Sequence, residues 1–337
     1  HYANGETMLG MLYLAEATNE KRYSDFVRKF CDFTLAHLER FEYEYNYLHA
    51  FRCINHRYFR RTMLDDTGGP AQPFIELLLN AKKEDYRDVV EQMADYVSNE
   101  QVRLDDGTFC RPEPEPYTVW ADDLFMSVPF LIRWAKITGE SKYFDDAAHQ
   151  IVRFYHYLFD QEKGLMKHGW FSRTGEKSVA FWGRANGWVV WAMSEALLHF
   201  PKDHFEYERI RSLFEKHIRG LTKYQDESGM WHQVLDHPHS YEETSCTAMY
   251  IAGMARGVRN NWIDNKYRAN AMKGWRALQQ VIDADGTVHG ICRGTGIGDS
   301  FEFYYNRETF DHDPRGLGAV LMAGVEISKL QKMESEK

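Results

Sequence analysis

The chain of 337 residues carries 9 Trp, 20 Tyr and 21 Phe, 27% charged residues and only 9 Pro, which excludes a disordered or linker-rich protein and promises a large core. Its net charge of -9, from 50 acidic against 41 basic residues with no basic block, argues against nucleic acid as a partner, and no run approaches the ~18 apolar residues of a membrane span. Five cysteines, Cys31, Cys53, Cys110, Cys246 and Cys292, form no C-x-x-C pair and read as free, mostly buried thiols. The sequence starts at His1 without a basic-then-apolar leader, so an upstream piece is expected to be missing. The compartment, bacterial periplasm or cytoplasm, is not readable.

Taken in chain order, the segments alternate between two kinds of punctuation. A helix stop followed by Tyr recurs at Ala17 to Tyr23, Asn80 to Tyr86, Thr138 to Tyr143, Pro201 to Tyr207 and Asn260 to Tyr267, with tyrosines 63, 57, 64 and 60 residues apart. Out of phase runs an Asp-Gly turn followed by an apolar residue, at Asp105 to Phe109, Asp160 to Leu165, Asp226 to Met230 and Asp283 to Val288. Its glycines, Gly107, Gly164, Gly229 and Gly286, are spaced 57, 65 and 57. Between them lie segments with apolar residues at helical spacing, such as Tyr86, Val89, Val90, Met93 and Val97, or Leu124, Val128, Leu131 and Ile132. Each period of about 60 residues therefore reads as one helix pair. Small residues (Ala248, Gly253, Ala255; Gly316, Gly318, Ala319, Ala323, Gly324) let inner helices approach closely and favour a closed ring over an open solenoid. The predicted fold is all-α, an (α/α)6 barrel of six helical hairpins forming a single domain over residues 1–337, with the Asp-Gly turns at one end.

Polar and aromatic residues follow those turns. Asp65-Asp66 and Asp122-Asp123 stand before apolar runs, the first pair ahead of a helix predicted from Gly69 to Leu79. Capping accounts for either residue of a pair taken singly. With two pairs on one rim, one member of each can face the cavity, where a carboxyl close to a second carboxylate has a raised pKa suited to acid-base work. The segment Trp182-Gly-Arg184-Ala-Asn-Gly-Trp188 wastes helix propensity. It reads either as a packed tight turn or as an Arg that pairs with a ligand carboxylate between indoles that stack on sugar-like rings. His237-Pro238-His239 and Asp311-His312-Asp313 lack metal-site spacing, and Gly294 to Gly298 has the composition of a phosphate loop without its context. The stretch from Phe41 to Arg61 carries Arg52, Arg57, Arg60 and Arg61, read as a solvated basic face or as contacts to an anionic sugar.

Together these motifs resemble those of the unsaturated glycuronyl hydrolases, most closely the unsaturated rhamnogalacturonyl hydrolases of glycoside hydrolase family 105, related to family 88. The resemblance rests on Tyr2-Ala3-Asn4-Gly5, Asp65 to Gly68, Trp120 to Met126, His168 to Trp170, Trp182 to Trp188, Glu243-Thr244-Ser245 and Asp313-Pro314-x-Gly316. It implies an (α/α)6 barrel with no metal or organic cofactor. The implied substrate is an oligosaccharide whose non-reducing terminal uronic acid carries the C4=C5 double bond left by a lyase; a proton adds at C4, water adds at C5, and the hemiketal opens to expel the remaining sugar. Carried over by motif, Asp122 is the acid and then base, and Asp66 the partner carboxylate that holds sugar hydroxyls and keeps Asp122 protonated. Arg184 lies near the substrate carboxylate, His168 assists, and Tyr2, Asn4, Trp120, Trp182 and Trp188 line the sugar subsite. Ala185 stands where the family usually has Gly, and Asp123 beside Asp122 leaves two candidates for the acid. An ordinary inverting glycosidase, with water between two carboxylates, and a non-catalytic carbohydrate-binding barrel are the alternatives. The leaving sugar (rhamnose, sulfated rhamnose or galactose) and the oligomeric state are not legible.

Overall fold

The computed structural model describes residues 1–335. Its helices are α1 (Tyr2–Thr18), α2 (Lys21–Ala36), α3 (Leu38–Asn46), α4 (His56–Arg60), α5 (Gln72–Ala81), α6 (Arg87–Asp95), α7 (Asp123–Thr138), α8 (Lys142–Leu158), α9 (Gly183–His199), α10 (Tyr207–Leu221), α11 (Thr244–Arg259), α12 (Tyr267–Leu278), α13 (Phe301–Tyr305) and α14 (Pro314–Ser335). Their burial separates them into two sets. Every residue of α9 from Gly183 to Leu197 is buried, as expected of a helix surrounded on all sides. By contrast α10 buries one stripe, led by Tyr207, Ile210, Phe214 and His217.

Six helices, α1, α5, α7, α9, α11 and α14, pack in that order, and α14 closes the ring on α1. Outside them α2, α6, α8, α10 and α12 each pack on the inner helix that precedes them in the chain. The fold is thus the (α/α)6 barrel. Among the described residues it has five complete hairpins and a sixth inner helix, where six hairpins were expected, with α3 and α4 filling an excursion between α2 and α5. Closure relies on two facing glycines: a Cβ on Gly10 would lie 2.8 Å from the Gly318 carbonyl oxygen, and one on Gly318 would lie 2.5 Å from that of Glu6.

Short strands not anticipated from the sequence occupy the turns ahead of the inner helices: β1 (Thr118–Trp120), β2 (Phe159–Asp160), β3 (Leu165–Met166), β4 (Gly169–Phe171), β5 (Glu176–Lys177), β6 (Ile291–Cys292) and β7 (Thr309–Phe310). Pairing of β1 with β4 sets Trp120 opposite Gly169. The turn glycines Gly107, Gly164, Gly229 and Gly286 all have positive φ, between 74° and 105°, the conformation that side chains disfavour. The helix expected from Gly69 begins instead at Gln72, with Pro73 in its first turn, and Asp65 and Asp66 lie in a 3-10 turn (Leu64–Asp66) before it. All five cysteines are free, four of them buried. No helix among the described residues is long and apolar enough to cross a membrane.

The interior of the ring is not wholly apolar. Each inner helix contributes one polar side chain to a buried layer: Tyr13, Glu76, Arg133, Glu195, Arg256 and Glu326. Arg133 pairs with Glu76 and, at 2.6 Å, with Glu195. Tyr13 donates to Glu195 at 2.8 Å and accepts from Arg133 at 2.9 Å. Arg256 bridges Glu195 and Glu326, and Arg259 reaches Glu326 at 2.9 Å. Three arginines therefore balance three glutamates. His199 beside them is kept neutral, its pKa lowered to about 3 by burial and by Arg133. Removing one partner of a buried pair strands the other. Arg133→Met is expected to lower the unfolding free energy by about 3–5 kcal/mol, whereas Arg40→Ala, which breaks the exposed pair with Glu44, should change it by less than about 1 kcal/mol. Chemical denaturation of both variants checks the contrast, and equal small losses would contradict it.

Candidate functional site

Three inner-helix entrances build the site. The first is the start of α7. Asp122 occupies its N-cap position, yet the residue is already helical (φ -56°, ψ -36°) and its side chain makes no cap bond, so the capping role is not filled. Asp122 and Asp123 instead diverge. Asp123 takes a forked contact from Arg111, at 3.0 and 3.1 Å from Nε and 2.7 Å from Nη2. The same guanidinium reaches Asp65 at 3.1 Å and lies 4.2 Å from the centre of the Trp120 ring. Burial pushes the Asp123 carboxyl up to about 6 in spite of Arg111. Asp122 keeps its Oδ2 without a hydrogen-bond partner and faces His168 Nε2 at 3.4 Å, where that nitrogen is also unpartnered.

The second entrance follows Gly164. The β2–β3 hairpin and β4 deliver His168, which is fully buried, and Asn186 on α9 braces this segment by bonding both the N-H and the C=O of Met166 at 2.8 Å. The imidazole lies between Trp182, at 4.5 Å between ring centres, and Trp120, at 5.4 Å. Its Nδ1 meets the Tyr304 hydroxyl at 2.9 Å. Burial raises the pKa of Asp122, but the facing His168, with Arg111 and Arg184, outweighs this and holds it below the usual carboxylate value. Burial likewise holds His168 below the ordinary imidazole value. The resting pair is thus a carboxylate and a neutral imidazole at neutral pH.

The third entrance is the start of α9. Its glycines allow close packing: a Cβ on Gly183 would lie 2.8 Å from Cys246 Sγ, and one on Gly187 would lie 2.4 Å from Met249 Sδ. Arg184 is buried and lies 4.8 Å from the centre of the Trp182 ring. It donates to Ser245 Oγ at 3.3 Å and to the carbonyls of Cys292 and Arg293, leaving Nε without a partner. Glu243 N-caps α11 through Ser245 and Cys246 and accepts from the Cys292 N-H at 2.9 Å. Trp188 is buried against Phe125 at 4.9 Å and meets Tyr2 edge-on at 6.0 Å.

Asp122, His168, Arg184, Trp120 and Trp182 are therefore brought together, with Tyr2 and Trp188 packed beside one another. Asn4 and Asp66 line a neighbouring cavity with His1, Gly5, Arg57 and Phe74. The expectation that Asp66 lifts the pKa of Asp122 by like charge fails, because Asp66 is buried in its own clamp. It accepts from Arg57 at 2.9 Å, from Arg60 at 2.8 and 2.9 Å, and from Thr62 at 3.2 Å. Of the arginines in the α3–α4 excursion, Arg57 and Arg60 are thus neither solvated nor free for an anion, Arg61 lies over the Tyr58 ring, and Arg52 is exposed.

Arg111, Gln233 and Tyr304 were not singled out as site residues from the sequence. A signal for the first two exists: Arg111, His168 and Gln233 each stand four residues after a turn glycine, Gly107, Gly164 and Gly229. Gln233 accepts from Trp182 Nε1 at 3.1 Å. One group of possible metal ligands occurs among the described residues, Asp226, His232 and Glu242, with ligand atoms within 4.8 Å of one another. Its His232–Asp226 contact, at 3.2 Å, recurs in the next repeat as His289–Asp283 at 2.7 Å, so it reads as a staple across the Asp-Gly turn.

A profile described as Glycosyl Hydrolase Family 88 matches residues 1–331. The unsaturated rhamnogalacturonyl hydrolase YesR of Bacillus subtilis (strain 168) is 29% identical over 225 residues, covering 65% of this chain and 64% of that protein. An unsaturated 3S-rhamnoglycuronyl hydrolase of Formosa agariphila is 31% identical over 226 residues, covering 63% of this chain and 58% of that protein. The matched stretch is thus less than two thirds of either relative's length. Among solved structures, a family 105 glycoside hydrolase of C. acetobutylicum superposes with a TM-score of 0.84 at 25% identity, covering 97% of this chain and 93% of that one. The unsaturated glucuronyl hydrolase of Bacillus sp. GL1 shares the fold, with a TM-score of 0.72 at 16% identity over 99% and 86% of the two chains. With nearly its whole length matched and the same barrel in its relatives, the chain belongs to Glycosyl Hydrolase Family 88.

Proposed function

We propose that the protein is a glycoside hydrolase that removes a 4,5-unsaturated uronic acid from the non-reducing end of lyase-generated oligosaccharides by hydrating the C4=C5 bond. One observation carries the choice of Asp122 as acid and base. Of the four rim carboxylates, Asp65 and Asp123 are bridged by Arg111 and Asp66 is clamped by Arg57 and Arg60, while Asp122 alone keeps a buried oxygen free. Near it are the unpartnered Trp120 Nε1, His168 Nε2 and Arg184 Nε, buried donors that a polar ligand would satisfy. The relatives' names point to rhamnogalacturonyl and 3S-rhamnoglycuronyl substrates as the classes to test.

The chemistry follows from the charges. At rest Asp122 is ionised. Entry of the uronate adds a second negative charge and expels water, and both raise the Asp122 pKa, so the carboxyl takes up a proton and becomes the acid. It gives that proton to C4, and the positive charge formed at C5 is shared with the ring oxygen. Water adds at C5 and returns a proton to Asp122, which ends as it began. The hemiketal opens at the C5 to ring-oxygen bond, and the hemiacetal left at C1 expels the remaining sugar as an alcohol. Arg184 Nε is the donor offered to the substrate carboxylate, Trp120, Trp182, Trp188 and Tyr2 form the sugar walls, and Asn4 with the clamped Asp66 borders the adjoining cavity. The reading is of a single catalytic domain, periplasmic or cytoplasmic, that acts without metal or organic cofactor.

Asp122→Asn is expected to slow loss of the double-bond ultraviolet absorbance by about 10³-fold or more with an unchanged melting temperature; near wild-type turnover would remove Asp122 from the mechanism. In His168→Gln the facing imidazole that lowers the Asp122 pKa is gone and burial dominates. The alkaline limb of kcat, where Asp122 loses its proton, should therefore move to higher pH. A pH profile whose alkaline limb stays in place would contradict the pairing.

A further inference from the structure

We propose that Tyr304 is a positioning residue that decides which nitrogen of His168 carries the proton, and that it ties this decision to the seating of the Gly294 to Gly298 loop. The inference rests on the reading of Asp122 and His168 given above. Tyr304, on α13, is fully buried. Its oxygen receives the Gly298 N-H at 3.0 Å, and a backbone N-H can only donate. The phenol proton then has one acceptor within reach, His168 Nδ1 at 2.9 Å. An Nδ1 that accepts places the imidazole proton on Nε2, aimed at Asp122 Oδ2 3.4 Å away. The opposite tautomer would set the Nε2 lone pair against a carboxylate oxygen and leave the phenol proton with no acceptor. In the favoured state the Nε2 proton stays on His168 throughout the reaction. It stabilises the carboxylate formed when Asp122 protonates C4 and holds it in place to take the proton from water.

The loop supplies the first link. Ile297 lies against Gly169 so closely that a Cβ there would come within 2.1 Å of Cδ1, and Gly296 packs beside the Trp120 ring. Arg184 grips the loop's stem through the carbonyls of Cys292 and Arg293. Through the Gly298 to Tyr304 bond the loop is tied to His168, which is buried as Asp122 is. Seating of the loop and orientation of the imidazole are therefore one event, which places the proton on Nε2 when the site is closed.

The test is the nitrogen NMR spectrum of the histidine-labelled full chain, with His168 identified by its absence in His168→Gln. It is read in the Asp122→Asn background, where the amide can accept from or donate to Nε2 and so leaves the choice to Tyr304. Asp122→Asn should show His168 protonated on Nε2, and Asp122→Asn/Tyr304→Phe should show a mixture of both tautomers. The same tautomer in both proteins, or an Nδ1 proton in Asp122→Asn alone, would overturn the proposal; the latter needs no Tyr304 variant to fold. With Asp122 intact, Tyr304→Phe should lower kcat about tenfold, the loss of one hydrogen bond in the transition state, with KM changed less than about twofold. An unchanged kcat would contradict it. Because the NMR readout needs no turnover, it stands apart from the hydratase reading, whose own failure would appear as full activity in Asp122→Asn.

Discussion

Everything at the mouth of this barrel depends on how its other end is closed. A ring of six helices has an axial hole that must be filled, and here it is filled by a layer of three glutamates, two arginines and a tyrosine, with Arg259 reaching it from its edge, instead of hydrocarbon. Such a layer adds little net stability over an apolar one, but it penalises any register in which one charge loses its partner. Four site residues stand 11 positions before a member of the layer on the same inner helix or at its entrance: Tyr2 before Tyr13, Asp122 before Arg133, Arg184 before Glu195 and Ser245 before Arg256. Asp65 stands 11 before Glu76, just ahead of α5. Eleven residues are three helical turns and about 16 Å, so a slip of any of these helices would misplace its site residue along with its layer residue.

At the opposite end the same economy of partners singles out one group. Two acidic pairs enter the mouth, and arginines take three of the four carboxylates. Arg111 binds one member of each pair, while Arg57 and Arg60, brought in by the α3–α4 excursion, take Asp66. What remains is Asp122 opposite a neutral imidazole, in a setting where a bound anion shifts the carboxyl toward its acid form. In the proposed reaction the arginines remove competitors for the proton, and Arg184 holds the stem of the Gly294 to Gly298 loop.

Much of the fold was legible because its punctuation is chemical. The Asp-Gly turns need positive φ and recur with the repeat, and the small residues of α11 and α14 announced close packing. The six-membered ring followed from the period together with those small residues. The pairing of Asp122 with His168 and Arg184 rested on motif resemblance, since residues 46 and 62 positions away show no spacing rule. The roles of Asp66, Arg57 and Arg60 were not legible, because whether an arginine meets water, ligand or carboxylate depends on how α3 and α4 fold back. The charge layer was missed although single charged residues inside otherwise apolar helices, such as Arg133 or Glu195, carry its signature. The start of α5 was misplaced because the glycines and prolines from Gly68 to Pro73 sustain a turn longer than the apolar pattern suggests.

The proposed reaction attacks the double bond and not the glycosidic bond. Turnover in deuterated water, followed by proton NMR, tests it most directly. Hydration through Asp122 predicts that the vinyl signal at C4 disappears as the leaving sugar is released and that the released uronic acid carries deuterium at C4. A released uronic acid that still shows its C4 vinyl proton would rule out hydration.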